Sequence, residues 1–474
     1  MTTSIATGRS VALLAALTLA ASTSGAQQAS ARPPVRPLGA ALATSDPMGA
    51  VSAVRQLPDG KLLVNDPVKR RVVLLDSMMK TLAIVADTTP ATANAYGARG
   101  GGILPFRGDS TLFLDPASLS MLVIDPKGVV ARVMAAPRPD DVFSLVGGAL
   151  GFPGFDSKGR LVYRASGLNF NRRGPGGGAG AGGAGGGGGF QPPVFPDSAP
   201  LVRFDLTTRK LDTAAYIKVQ APKINFTEVE GRRSISMVIN PLPEVDDWAV
   251  LSDGTIAIVR KDYHVDYIDA DGTRSAGARI PFDWQRLSDS AKSAVIDTAR
   301  AQMERARTAG PGAMADVAMG GGGGGAGGGF GVPFGGGGGG GGFAVRIRGG
   351  GEDGPPPPRR DATGGAAPAA GGGRGQGGGR QLNFVPPTEL PDYRPAFTNG
   401  SVRADAGGKL WVRLIPTKPT TGGPEYDVID RSGKLVDRVT LPAGTVIAGF
   451  GAGGIVYLGV RDAAGTHVVR AREK

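Results

Sequence analysis

The chain has 474 residues, a formal charge of +12 and no cysteine, which excludes disulfides, a lipobox, a thiol nucleophile and any cysteine metal site. Its 79 glycines and 37 prolines mean that much of the length does not pack into a core. Aromatic residues are only 6% of the total, so buried layers must rest on Val, Leu, Ile and Ala, while the positive charge favours acidic surfaces such as anionic glycans, lipids or nucleic acid.

At the N-terminus, Thr2 to Gly8 carry no acid, Arg9 is basic, and Val11 to Ala21 form an apolar run followed by Ser24-Gly25-Ala26. This is the pattern of a Sec-type signal over residues 1–26, with a mature chain from Gln27; the run is too short to span a bilayer core of roughly 30 Å. An exported protein, periplasmic or extracellular and without a transmembrane anchor, is expected. For such a protein, envelope partners are favoured over nucleic acid.

Met48 to Val85 then sets a unit that the rest of the chain repeats. Four short apolar runs are separated by turn residues: Leu57-Pro58-Asp59-Gly60, Asn65-Asp66-Pro67 and Asp76. Further copies cover Ile103 to Met134, Phe152 to Lys218 with a long interruption, Trp248 to Ile280, and Val402 to Leu441. From turn glycine to closing aspartate, Gly60 to Asp76 spans 16 positions, Gly108 to Asp125 spans 17 and Gly254 to Asp269 spans 15. Such regularity is the mark of a repeat architecture.

A last copy, Val446 to Arg472, has three strands only. Pro37 to Thr44 can supply the fourth and close a ring. The reading is an all-β, six-bladed β-propeller over residues 27–474, with terminal strand closure. A seven-bladed ring, with an extra blade between Asp141 and Asn240, is the alternative.

Two insertions interrupt the repeats. Residues 172–191 are almost pure glycine and alanine, and residues 310–381 combine glycine runs, Pro355 to Pro358 and scattered arginines; both are expected to be disordered. Ahead of the second, residues 283–308 carry one amphipathic helix: Ser288 can cap it, and Leu287, Ala291, Val295, Ala299, Met303 and Ala306 make an apolar stripe. It either covers a rim or the channel mouth, or packs on a blade.

Leu57 to Asp76, with Asp66, Arg71 and Asp76 in place, resembles the repeat of NHL-type, gluconolactonase-like and TolB-like six-bladed propellers. The resemblance implies a fold and leaves the activity open. The gluconolactonase type binds a divalent cation through a Glu near the start of the first blade and Asn and Asp from later ones. Here Met48 to Leu57 contains no Glu, and Arg55 is its only charge. Lyases on a related propeller use paired histidines, whereas His264 and His467 are the only histidines of this chain, each read as a strand residue.

Candidate ligand-binding residues are therefore Asp247 and Trp248 at the start of the fourth inner strand, Tyr393 and Arg394 before the fifth, and Arg403 with Asp405 within or beside it. Aromatic faces near a carboxylate and a guanidinium can hold a sugar ring or a peptide. The same residues also have a structural reading, in which Trp248 packs between blades, Asp247 pairs with Arg394, and Arg403 and Asp405 form a channel pair or an ordinary turn. The expected function is an exported, monomeric binding scaffold that takes a small ligand, glycan or envelope protein at the channel mouth, with no cofactor and no catalysis. The alternative is a lactonase or hydrolase with a single divalent cation.

Overall fold

A computed structural model describes residues 32–89, 96–165, 195–229, 232–309, 383–417 and 422–474. The leader expected at residues 1–26 and the tracts at 172–191 and 310–381 lie outside them. Each Asp-Gly or equivalent turn reverses the chain between two apolar runs, and four such runs pair antiparallel as one blade. Blade 1 is Ala53–Gln56, Leu62–Asp66, Arg71–Leu75 and Thr81–Ala86. Blade 2 is Gly102–Pro105, Thr111–Asp115, Ser120–Ile124 and Val130–Ala135. Blade 3 is Gly154–Phe155, Leu161–Arg164, Ser198–Phe204 and Leu211–Lys218. Blade 4 is Asp247–Val250, Ile256–Val259, Val265–Ile268 and Arg274–Ala276. Blade 5 is Val402–Ala404, Leu410–Arg413, Glu425–Ile429 and Leu435–Thr440. The protein is thus a six-bladed β-propeller.

Blade 6 takes three strands from the end of the chain, Thr445–Gly451, Ile455–Asp462 and Gly465–Arg472, and its outer strand from the beginning, Ala41–Thr44. Ala43 stands opposite Arg470, and Thr44 opposite Val469. The ring is therefore closed by pairing two distant parts of the chain, which covers the edge of the last strand. The closing strand is shorter than Pro37 to Thr44. Val35–Pro37 leaves it and joins blade 5 instead, parallel to Leu435–Thr440, making that sheet five-stranded.

Side chains of the inner strands alternate between the two neighbouring blades, so the core is a set of layers between blades. Trp248, Leu161 and Leu201 share one layer across blades 3 and 4; Trp411, Val428 and Ile447 share another across blades 5 and 6. Gly151 has φ +92°, and a Cβ there would collide with the Trp248 indole, so glycine is required for that tryptophan to seat. Trp248 donates its Nε1 proton to the Leu150 carbonyl at 3.2 Å and is fully buried.

The region between Asp141 and Asn240 holds no seventh blade among the described residues. It contributes a 3₁₀ segment, Pro139–Leu145, and a hairpin, Lys223–Val229 with Arg232–Ile239, whose second strand pairs in parallel with Asn383–Phe384. Helix α1, Asp289–Ala309, lies against this small sheet. Ser288 Oγ accepts the Ala291 N–H at 3.2 Å and caps the helix. Leu287, Ile296, Val385, Leu390 and Ile415 form the buried contact, and Lys292, also buried, reaches Asp392 at 2.8 Å. The buried face uses Ile296 in addition to the expected stripe; Ala306 is outside the described side chains.

Candidate functional site

In every blade the first strand starts, and the second ends, on the same rim of the ring. The outer strand also ends there, so the connections between blades, including the 3₁₀ segment, the hairpin and α1, all leave from this rim. At its centre is a cleft of about 110 Å³, lined by Ser52 to Val54, Gly101 to Leu104, Val146 to Gly148, Phe152, Pro153, Arg403 and Ala448. Its walls combine glycine backbone with small and apolar side chains. A Cβ on Gly102 would sit 2.7 Å from the Val146 carbonyl oxygen. No residue of α1 lines the cleft.

Two side chains dominate it. Arg403, on the inner strand of blade 5, places its guanidinium carbon 4.1 Å from the centroid of the Phe152 ring on blade 3. This is a cation–π contact across the channel. Burial lowers the proton affinity of Arg403 to a pKa of about 10, with Tyr426 and, more weakly, Asp247 opposing the effect and Arg413 adding to it. Among the described residues no hydrogen bond or ion pair engages its guanidinium. Arg164 and Arg413, which end the second strands of blades 3 and 5, are likewise without such partners, and Arg164 also feels Asp247.

Asp247 is 3% exposed and receives the Val402 N–H at 2.9 Å. Backbone N–H groups of Trp248, Gly400 and Ser401 also favour its ionised form, but burial prevails and raises its pKa to about 7. It is the acid that Arg164 and Arg403 share. A carboxylate bound by amides between two blades ties blade 4 to blade 5, and its charge balances only part of the surrounding arginine charge.

The other sequence candidates are placed elsewhere. Trp248 belongs to the layer between blades 3 and 4. Arg394 bonds Gln285 Oε1 at 3.1 Å and so is paired with that glutamine and not with Asp247. Tyr393 is half exposed and bridges Arg286 through the backbone. Asp405 occupies the turn on the opposite rim, where its carboxylate accepts Lys409 N–H at 2.8 Å and Trp411 Nε1–H at 3.2 Å. Arg403 and Asp405 are thus not a pair, and of the six candidates only Arg403 lines the cleft, with Asp247 behind it. Sequence reasoning missed Phe152, Arg164 and Arg413. The signal for the two arginines was the matching ends of Leu161-Val162-Tyr163-Arg164 and Leu410-Trp411-Val412-Arg413, where blades 1 and 2 end on Asp66 and Asp115.

Both histidines are held by structural partners. His264 lies between Asp262 at 2.7 Å and Asp266 at 3.3 Å, and His467 contacts the Ser45 carbonyl at 3.0 Å. The donor set for a divalent cation was also tested. Among the described residues no three His, Cys, Asp or Glu side chains come together to hold one. Arg55 points to the opposite rim, bonding the Ser110 carbonyl and Thr111 Oγ1, and Asn65 is committed to Gly101 O at 2.7 Å and Ser52 Oγ at 2.8 Å. These residues do not fit the cation site that the gluconolactonase resemblance implies.

The fold and the cleft define a six-bladed propeller with an arginine-bearing central mouth. No protein-family model matches the chain, and no curated protein matches it. Among solved structures it is similar to regucalcin, a calcium-binding protein of Agrobacterium tumefaciens, with 9% identity, 93% of this chain and 98% of that one covered, and a TM-score of 0.35. It is also similar to the catalytically inactive virginiamycin B lyase of Staphylococcus aureus, with 10% identity, coverage of 92% and 98%, and a TM-score of 0.33. A Bacteroides fragilis protein described as exported has 7% identity, coverage of 93% and 95%, and a TM-score of 0.39. Likenesses at this level carry no residue roles. No helix among the described residues is long and apolar enough to cross a membrane.

Proposed function

We propose that this protein is an exported binding propeller that takes a small ligand in the cleft at its channel mouth and does not transform it. The N-terminal signal pattern supports export. The observation that carries the binding reading is Arg403: a half-buried guanidinium on an aromatic face, in a cleft of glycine backbone and apolar side chains, with its N–H donors uncommitted among the described residues. The other lining side chains are apolar except Ser52, whose hydroxyl is taken by Asn65. This is the composition of a recognition site, in which one polar group orients a ligand against apolar and backbone surface.

The test is ligand-observed NMR with a library of sugars, sugar acids and short peptides, on the mature chain and on Ala53→Trp. Ala53 lines the cleft, and an indole there fills it. The expected result is binding of one chemical class, lost in the variant, with the ligand recovered unchanged. Binding that is indifferent to Ala53→Trp would overturn the reading, and turnover of a bound ligand would overturn its non-catalytic part.

A further inference from the structure

Most arginines of the described structure are committed. Arg71 bonds Asp66, Arg160 bonds Asp156, Arg260 bonds Asp246 and Asp266, and Arg438 bonds Asp427 and Glu425. Where this fold uses a guanidinium for structure, it supplies an acid or a carbonyl. Arg164, Arg403 and Arg413 are exceptions, and they come from two blades to one rim. Arg413 is close enough to Arg403 to disfavour its charge. The carboxylate that acts on both Arg164 and Arg403 is Asp247, whose lone pairs are already taken by backbone amides. One cation lining a small cleft, with two more at the ends of neighbouring strands on the same rim and one buried, preoccupied acid, leaves a net positive site, an arrangement that costs free energy until an anion enters.

Resting on the channel-binding reading, we propose that the ligand carries an oxyanion, a carboxylate or a phosphate, held by Arg403 with Arg164 and Arg413 adding positive potential. A guanidinium presents paired N–H donors that match two oxygens of either group. The Phe152 ring holds the guanidinium plane without consuming those donors. The cleft limits the ligand to about the size of a single ring, and exposed backbone amides and carbonyls of the inner strands can meet its hydroxyls.

The experiment is isothermal titration of the mature chain with glucuronate, glucose 6-phosphate and glucose at matched ionic strength, repeated on Arg403→Gln and on Arg107→Gln. Arg107 lies on the opposite rim, so its replacement makes the same change in net charge away from the cleft. At least one acidic probe is expected to bind ten times more tightly than glucose or better, and to lose roughly tenfold to a hundredfold in Arg403→Gln, as for a charged hydrogen-bonding contact. Arg107→Gln should leave affinity unchanged. A carboxylate ligand is indicated if glucuronate is preferred, and a phosphate if glucose 6-phosphate is. Acidic probes that bind no better than glucose, or that lose as much in Arg107→Gln as in Arg403→Gln, would overturn the inference. A neutral ligand that is lost in Ala53→Trp and kept in Arg403→Gln would overturn it while leaving the channel reading in place. Melting curves of Arg403→Gln check that the variant is folded.

Discussion

The guanidinium of Arg403 lies 4.1 Å from the centre of the Phe152 ring and so links blade 5 to blade 3 over the start of blade 4. A contact of this kind contributes about 0.5–2 kcal/mol. Against it stand burial of the charge and repulsion from Arg413. Arg403→Gln is therefore expected to change stability by less than about 1 kcal/mol in urea unfolding. A loss of several kcal/mol would show that the arginine is structural and would weaken its assignment to a ligand.

Asp66 is the opposite case. Its buried carboxylate accepts N–H groups of Gly49 at 3.0 Å, Ala50 at 2.9 Å and Lys69 at 3.1 Å, and Arg71 Nε–H at 3.2 Å. Asp66→Ala orphans these donors together, and the expected cost is about 3–5 kcal/mol. Chemical denaturation of the variant measures it; an effect under about 1 kcal/mol would contradict the account of this turn.

The pH dependence of stability reports on Asp247. Its folded pKa, about 7, stands above the ordinary value of 3.8, so the folded state holds a proton that the unfolded state releases. The favourable contribution is complete below about pH 4, declines as pH rises, and is lost above about pH 7. At about 1.4 kcal/mol per factor of ten, wild type should lose on the order of 2–3 kcal/mol relative to Asp247→Asn between pH 5 and pH 7. A difference that stays flat over this range would mean that Asp247 is ionised throughout.

Ring closure gives a prediction about association. Removing residues 27–44 strips Ala41–Thr44 from Gly465–Arg472 and exposes the edge of that strand. The truncated chain should melt at lower temperature and form dimers or larger species, because an unpaired edge recruits other strands. Size-exclusion chromatography with light scattering checks this, and an unchanged elution and melting point would contradict closure by that strand.

The ring was legible because blades 1, 2 and 4 repeat a turn glycine and a closing aspartate 15 to 17 positions apart, blades 3 and 5 stretch the same pattern by an insertion, and backbone pairing follows directly from turn chemistry. Val35–Pro37 was not, since a three-residue parallel strand containing proline has no sequence signature of its own. The hairpin at Lys223–Val229 and Arg232–Ile239 was hidden for a different reason: the strand that completes its sheet, Asn383–Phe384, is far away in sequence. The site was legible in part. Asp247 and Trp248 are adjacent, so they face opposite blades, one into an amide cage and the other into the core; sequence proximity suggested a joint role that strand geometry forbids. Arg403 was visible as a charge on an inner strand, but the ring that it covers comes from two blades earlier, and only the closed ring brings them together.

The central claim is that the channel mouth holds a small ligand, and native mass spectrometry of the protein purified from its own cells tests it most directly. The account expects a small adduct on the wild-type chain, absent from Ala53→Trp and reduced in Arg403→Gln. No adduct on the wild-type chain, or the same mass shift over the bare chain in all three proteins, would contradict it.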